Sequence, residues 1–168
     1  FGYIPDTPDM FLRLKGIEFL NFVADVYEVP FTERKERIEK LAEKFEMTDS
    51  LTSKIAEYSH GMRQKIFIIG ALIHEPQNWI MDEPMTGLDP KSSHLLKELM
   101  REHADKGNSV FFSTHILEVA EKICDRIGII SQGKLVAVGT VEEIKNKFRK
   151  DDSFENIFLE ITENEKDN

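Results

Sequence analysis

Cysteine is almost absent from these 168 residues, so with Cys124 as the only thiol no disulfide can form within the chain, a usage that fits a reducing compartment. Long apolar runs are absent as well. The longest, residues 66–73, falls far short of the roughly 20 residues that span a bilayer, which excludes a membrane-spanning helix. Clustered positive charge is missing too: 22 Lys and Arg are scattered among 31 Asp and Glu, and the net charge of -9 argues against nucleic acid as the main partner. There is no internal repeat, no signal-peptide pattern and no initiator methionine. The opening Phe1-Gly2-Tyr3-Ile4-Pro5 reads as the middle of a domain, so a truncated or proteolysed chain is expected, with apolar sheet edges left open to self-association.

What is present describes a packed domain. A hydrophobic fraction of 40% with 32% charged residues is far from the composition of disorder, and the length allows one domain, or one domain with a small lobe. From residue 15 to 46 the spacing is helical. Ile17, Leu20, Val23, Ala24 and Tyr27 share one face; Pro30 interrupts; Ile38, Leu41, Ala42 and Phe45 share the next. A third short helix is expected around Leu51 and Ile55. Then Ile66, Ile69, Leu72 and Ile73 recur at helical spacing until Pro76, with Ser59 placed as the N-cap.

Beyond Pro76 short apolar strands alternate with amphipathic helices. Strands are expected at 78–81, 110–113 and 126–130, and helices at 91–106 and 116–124, the alternation of a parallel α/β sheet. Gln132-Gly133 reads as a tight turn into a strand at 134–138, and Thr140 with Glu143 forms a capping box. A last helix at 154–161 precedes a charged tail, 163–168, expected to fray. The organisation is therefore 1–75, helical subdomain; 76–150, α/β part; and 151–168, terminal helix and tail.

The sharpest chemical signal is Trp79-Ile80-Met81-Asp82-Glu83-Pro84, an apolar strand ending in two adjacent carboxylates. Two acids side by side repel, so their place at the tip of a strand, where parallel sheets present ligands, points to a cation or a reacting water. Thr86-Gly87-Leu88-Asp89-Pro90 follows at once, and Ser113-Thr114-His115 closes the next strand, which puts a second tip, with an imidazole, beside the first. His60, His74, His94 and His103 show no metal-ligand spacing.

In these segments the chain resembles the nucleotide-binding domain of ATP-binding-cassette (ABC) transporters, from Phe1 to about Ile161. The stretch 58–65, Tyr-Ser-His-Gly-Met-Arg-Gln-Lys, is similar to the family signature, 78–84 to its Walker B strand, 86–89 to its D-loop, His115 to its switch histidine, and Gly2-Tyr3-Ile4-Pro5-Asp6 to its Q-loop. The resemblance implies a P-loop NTPase-like, RecA-like parallel sheet core, here partial, with an inserted all-α lobe. It implies ATP and Mg²⁺ as cofactors, and an ATP site shared by two subunits. In it Ser59, His60, Gly61 and Met62 would cap the γ-phosphate, where a helix start offers free amides and partial positive charge. Asp82, with Asp6, would hold Mg²⁺; Glu83 would polarise the attacking water; His115 would touch the γ-phosphate; and Asp89 would reach across the dimer.

Departures from the pattern carry expectations of their own. Asp6 stands where the family has Gln or Glu and reaches less far. Tyr58 replaces the first Leu, and His60 replaces a Gly that would let backbone approach phosphate closely, so capping is expected to be looser, or to gain charge from a protonated imidazole. The phosphate loop G-x-x-x-x-G-K-[ST] is not found. Gly128 to Lys134 copies its spacing, but Leu135 replaces the hydroxyl and the flanks read as two strands. In the family that loop precedes the Q-loop, so this chain alone is expected neither to hydrolyse ATP nor to bind it tightly.

The expected partners are a second nucleotide-binding subunit and a transmembrane permease, without nucleic acid, which would hold the chain on the cytoplasmic face of the membrane. The opening and the terminal helix look most like the subfamily that drives exporters. Two other classes remain: an ABC-type DNA-repair head, disfavoured by the lack of heptads and basic surface, and a non-catalytic module that donates Ser59 and Asp89 to another subunit's ATP.

Overall fold

The structure is a computed structural model and describes residues 1–148 and 153–164. Its contacts separate into two compact units, Phe1–Ser113 and Thr114–Asn168.

The first unit is built around a three-stranded parallel sheet in the order β1 (Gly2–Ile4), β2 (Asn78–Met81), β3 (Ser109–Phe112). Registers pair Ile4 with Met81 and Met81 with Phe112. Period-2 alternation sorts the strand residues by face. Ile4, Trp79 and Met81 are buried, whereas Tyr3, Ile80 and Phe111 lie side by side on the other face, with Phe111 72% exposed. Apolar surface is thus exposed on one face of the sheet. Because β1 belongs to this sheet, the segment 1–75 supplies a core strand as well as the helical lobe.

That lobe follows the helical spacing. Helix α1 (Gly16–Val26) opens with Glu18 accepting the backbone N–H of Lys15 at 2.8 Å, and α2 (Phe31–Lys44) starts at Pro30, whose fixed φ suits a helix entry. Phe19, Leu20, Ile38 and Phe45 fill the interior. Two expectations differ in detail. Tyr27 ends α1 and stacks on His74 at 3.6 Å between centroids instead of entering the core. Leu51 and Ile55 lie beside and in 3-10 turns at Thr48–Ser50 and Ile55–Glu57 rather than on one helix, although their i,i+4 spacing would suit a helix face.

Helix α3 (His60–Leu72) is the axle of this unit. Every residue from Gln64 to Leu72 is buried, as befits a helix that is apolar on most sides. It packs on α1 and β1, and Phe19 meets Phe67 with centroids 4.9 Å apart. Helix α4 (Pro90–Asp105) follows β2 and lies against β3.

The second unit holds α5 (Leu117–Ile123), β4 (Ile127–Ser131), β5 (Lys134–Gly139), α6 (Val141–Phe148) and α7 (Phe154–Asn164). Among the described residues β4 pairs only with β5, and antiparallel, so the strand expected at 126–130 does not extend the parallel series. Gln132 and Gly133 both take positive φ, the requirement of a two-residue hairpin turn, and this settles the phosphate-loop lookalike as a hairpin. Thr140 and Glu143 exchange the two bonds of a capping box at 2.9 and 3.1 Å. Ile129, Ala137, Ile144, Phe154, Ile157 and Ile161 form the core. Most of the tail 163–168 lies outside the described residues.

Candidate functional site

The polar centre of the first unit sits where β2 and β3 end. The backbone N–H of Asp82 donates to Ile4 O at 2.8 Å, and that of Ser113 donates to Met81 O at 3.0 Å, so both tips continue the parallel ladder by one residue. This brings Ser113 to the acids. Its hydroxyl donates to Asp82 Oδ1 at 2.5 Å and accepts the backbone N–H of Glu83 at 3.0 Å. Asp82 is exposed and Glu83 half-buried. Glu83 takes φ of 44°, a left-handed backbone that costs a non-glycine residue about 1 kcal/mol or more, and the turn it makes sends the chain from the strand into the 83–89 loop.

That loop ends in α4. Asp89 is its N-cap, with Oδ1 accepting the Ser92 N–H at 2.9 Å and Oδ2 accepting the Ser92 hydroxyl at 2.8 Å. Lys65 Nζ lies 2.7 Å from the same Oδ2. Hydrogen bonding from Lys65 first, then from Ser92, holds the Asp89 carboxyl well below the usual carboxylate range. Both oxygens are thus engaged within the chain.

The start of α3 faces this loop. Ser59 Oγ accepts the Met62 N–H at 3.3 Å, and Ser59 and His60 are exposed. Gly87, at φ 77°, holds a backbone that strains any side chain, and a Cβ there would lie 2.2 Å from the His60 ring, which would have to shift; a Cβ on Gly61 would lie 2.6 Å from Gly87 O. Tyr58, at the first position of the signature-like stretch, is 4% exposed and donates to Ser50 O at 2.6 Å; burial raises its pKa. The phenol anchors the chain as it enters the helix.

Seven of the residues singled out from sequence, Ser59, His60, Gly61, Met62, Asp82, Glu83 and Asp89, therefore lie on the ends of α3, β2 and α4 within one unit. Asp6 is exposed on the loop after β1, where its carboxylate accepts from Thr7 Oγ1 at 3.4 Å. His115 is exposed and follows Thr114 at the opening of the second unit. Ser113, Gln64 and Lys65 were not singled out. A hydroxyl at the second strand tip was the available signal for Ser113, and a lysine directly before the apolar run 66–73 the signal for Lys65.

Asp82 and the Ser113 hydroxyl offer the hard oxygen donors that Mg²⁺ takes, and the ion is commonly held by one or two carboxylates together with phosphate oxygens and water. Among the described residues no group of three or more His, Cys, Asp or Glu is placed to hold a metal.

A family model described as ABC transporter matches residues 1–86. The ABC-type transporter ATP-binding protein EcsA of Bacillus subtilis (strain 168) is 38% identical over 163 residues, 96% of this chain and 66% of its own length. The linearmycin resistance ATP-binding protein LnrL of the same organism is 34% identical over 150 residues, 89% of this chain and 48% of its own. The chain thus spans less than two thirds of each of these curated relatives. A solved ATP-binding subunit of an ABC transporter superposes with a TM-score of 0.90 at 37% identity, covering 96% of this chain and 68% of that one. The fold is that of the P-loop NTPases, as the α/β reading with a helical lobe anticipated. With strand tips, capped helix and family match all agreeing along the chain, it belongs to the ABC transporter family, among the ATP-binding proteins.

Proposed function

We infer that these residues form the signature, Walker B and D-loop part of an ATP-hydrolysing subunit that drives an exporter. The observation that carries the reading is the Ser113 hydroxyl joining the Asp82 carboxylate to the Glu83 amide at two adjoining strand tips, in the unit that also holds the capped start of α3. The resistance function in LnrL's name supports export.

Each residue then has a physical task. Asp82, oriented by Ser113, would hold Mg²⁺, which when bound offsets the charge of the phosphates. Glu83 would accept a proton from the attacking water, a role worth on the order of 10²–10⁴ in rate. The amides of residues 60–62 and the Ser59 hydroxyl would receive the γ-phosphate of an ATP bound by a second subunit, and His115 would contact the γ-phosphate on its own. Asp6 would lie at the entrance of the helical lobe, the part that would face a permease. No helix among the described residues is long and apolar enough to cross a membrane, so anchoring would come from that partner on the cytoplasmic side.

The 168 residues contain no phosphate loop, so what they can complete unaided is another subunit's ATP. Mixed with a subunit that has a phosphate loop but a damaged signature serine, the chain is expected to restore ATP turnover, and Ser59→Ala to abolish the restoration. Turnover by the pure chain that vanishes in Glu83→Gln would overturn the expectation that these residues are inactive alone, and turnover that survives in the mixed pair with Ser59→Ala would overturn the role of the α3 start.

A further inference from the structure

Four positions on α3, residues 60, 61, 64 and 65, face the 83–89 loop, whereas Arg63 turns the other way, to Asp9 at 2.8 Å and Ala56 O at 3.2 Å. Their spacing is that of one helical face. At the helix start His60 and Gly61 touch Gly87; one turn further Gln64 Nε2 donates to Pro84 O at 3.2 Å, and Lys65 pairs with Asp89 at 2.7 Å. Gln64 is fully buried, and the Lys65 side chain is 11% exposed. Lys65 is therefore a nearly buried cation whose partner is also the N-cap of the next helix. A charge in that setting holds two elements in one arrangement, because separating them strands it without a partner.

The geometry points to Lys65, assisted by Gln64, as a positioning residue that pins the phosphate-facing start of α3 to the loop running from Glu83 to Asp89. This rests on the functional reading above and adds to it. In that reading the α3 start meets one nucleotide and Glu83 serves another, and the bridge makes both shift as one body. Lys65 itself touches neither.

Two measurements test this, the first needing no nucleotide. In the isolated chain, Lys65→Met should speed amide exchange about tenfold at residues 60–63 and 83–89 while α1 and α2 keep their protection; Lys65→Arg should restore it, and Asp89→Asn, which keeps the cap, should reproduce the faster exchange. Unchanged exchange in the loop, or equal loss of protection throughout the unit, overturns the proposal. The second uses restored turnover in the mixed pair. Lys65→Met should raise the KM for ATP about tenfold with the saturating rate retained, because a loosened helix start still docks at high occupancy. A lowered saturating rate at unchanged KM would mean a merely structural role. If the unaltered chain restores no turnover, the ATP reading fails, and the exchange result alone decides for or against Lys65.

Discussion

Helices α3 and α4 begin in the same unit, each with a side-chain oxygen on a first-turn amide, yet their electrical states are opposite. At α4 the cap is the Asp89 carboxylate, which accepts from Ser92 twice and from Lys65 once, and the turn begins with Pro90. At α3 the cap is the neutral Ser59 hydroxyl, at a longer 3.3 Å, with no acidic residue in the first turn. The partial positive charge of a helix start favours an anion, and α4 carries its own. The start of α3 carries none in its first turn, which suits the phosphate-receiving role proposed for it. On that proposal a helix N-terminus alone does not mark a phosphate site; the difference would lie in whether the chain has already neutralised it.

Breaking the α4 side should have the largest effect on folding. Asp89→Ala removes a cap and leaves Lys65 with no partner in a nearly buried position, and should lower stability by about 2–3 kcal/mol in denaturant titration. Asp89→Asn, retaining a capping oxygen, should cost about 1 kcal/mol. The sign of the pH dependence follows from the direction of the shift. A carboxyl held below its unfolded pKa contributes fully above that pKa, so the gap between the parent chain and Asp89→Asn should be constant near neutrality and shrink as pH falls below about 4. A gap that widens in acid would contradict the ion pair.

Next in size is the neutral link between the two starts. Gln64→Leu withdraws the donor from Pro84 O but also deletes Gln64 Oε1, which is buried with no hydrogen-bond partner, so the two changes offset and the expected loss is about 1 kcal/mol. Smallest for folding is Ser59→Ala, about 0.5 kcal/mol for a long, exposed capping bond. Its effect on ATP turnover should nonetheless exceed that of Gln64→Leu. A reversed order in the turnover assay would remove α3 from the phosphate role.

Periodicity made most of this visible beforehand. The strand that ends at Asp82, the Ser59 cap and the hairpin at Gln132-Gly133 all announce themselves through local chemistry, because alternation, capping residues and turn residues act within a few positions of one another. What stayed hidden joins distant segments. Nothing near Lys65 in the sequence names Asp89 as its partner, and a carboxylate matched to a motif for reaching another subunit turns out to be occupied by its own chain. The left-handed backbone at Glu83 was equally invisible, since no glycine or asparagine marks it. Strand type alone could not place residues 126–130 either: an apolar run after a helix fits a parallel sheet, and only the hairpin partner decides against it.

The central claim is that Glu83 serves as the base toward a nucleotide, and it is tested most directly in a protein that joins these residues to a segment bearing the G-x-x-x-x-G-K-[ST] phosphate loop. In that protein Glu83→Gln should lower ATP hydrolysis by about 10² or more while ATP stays bound and dimers accumulate on gel filtration. Hydrolysis at the unmodified rate would contradict the account.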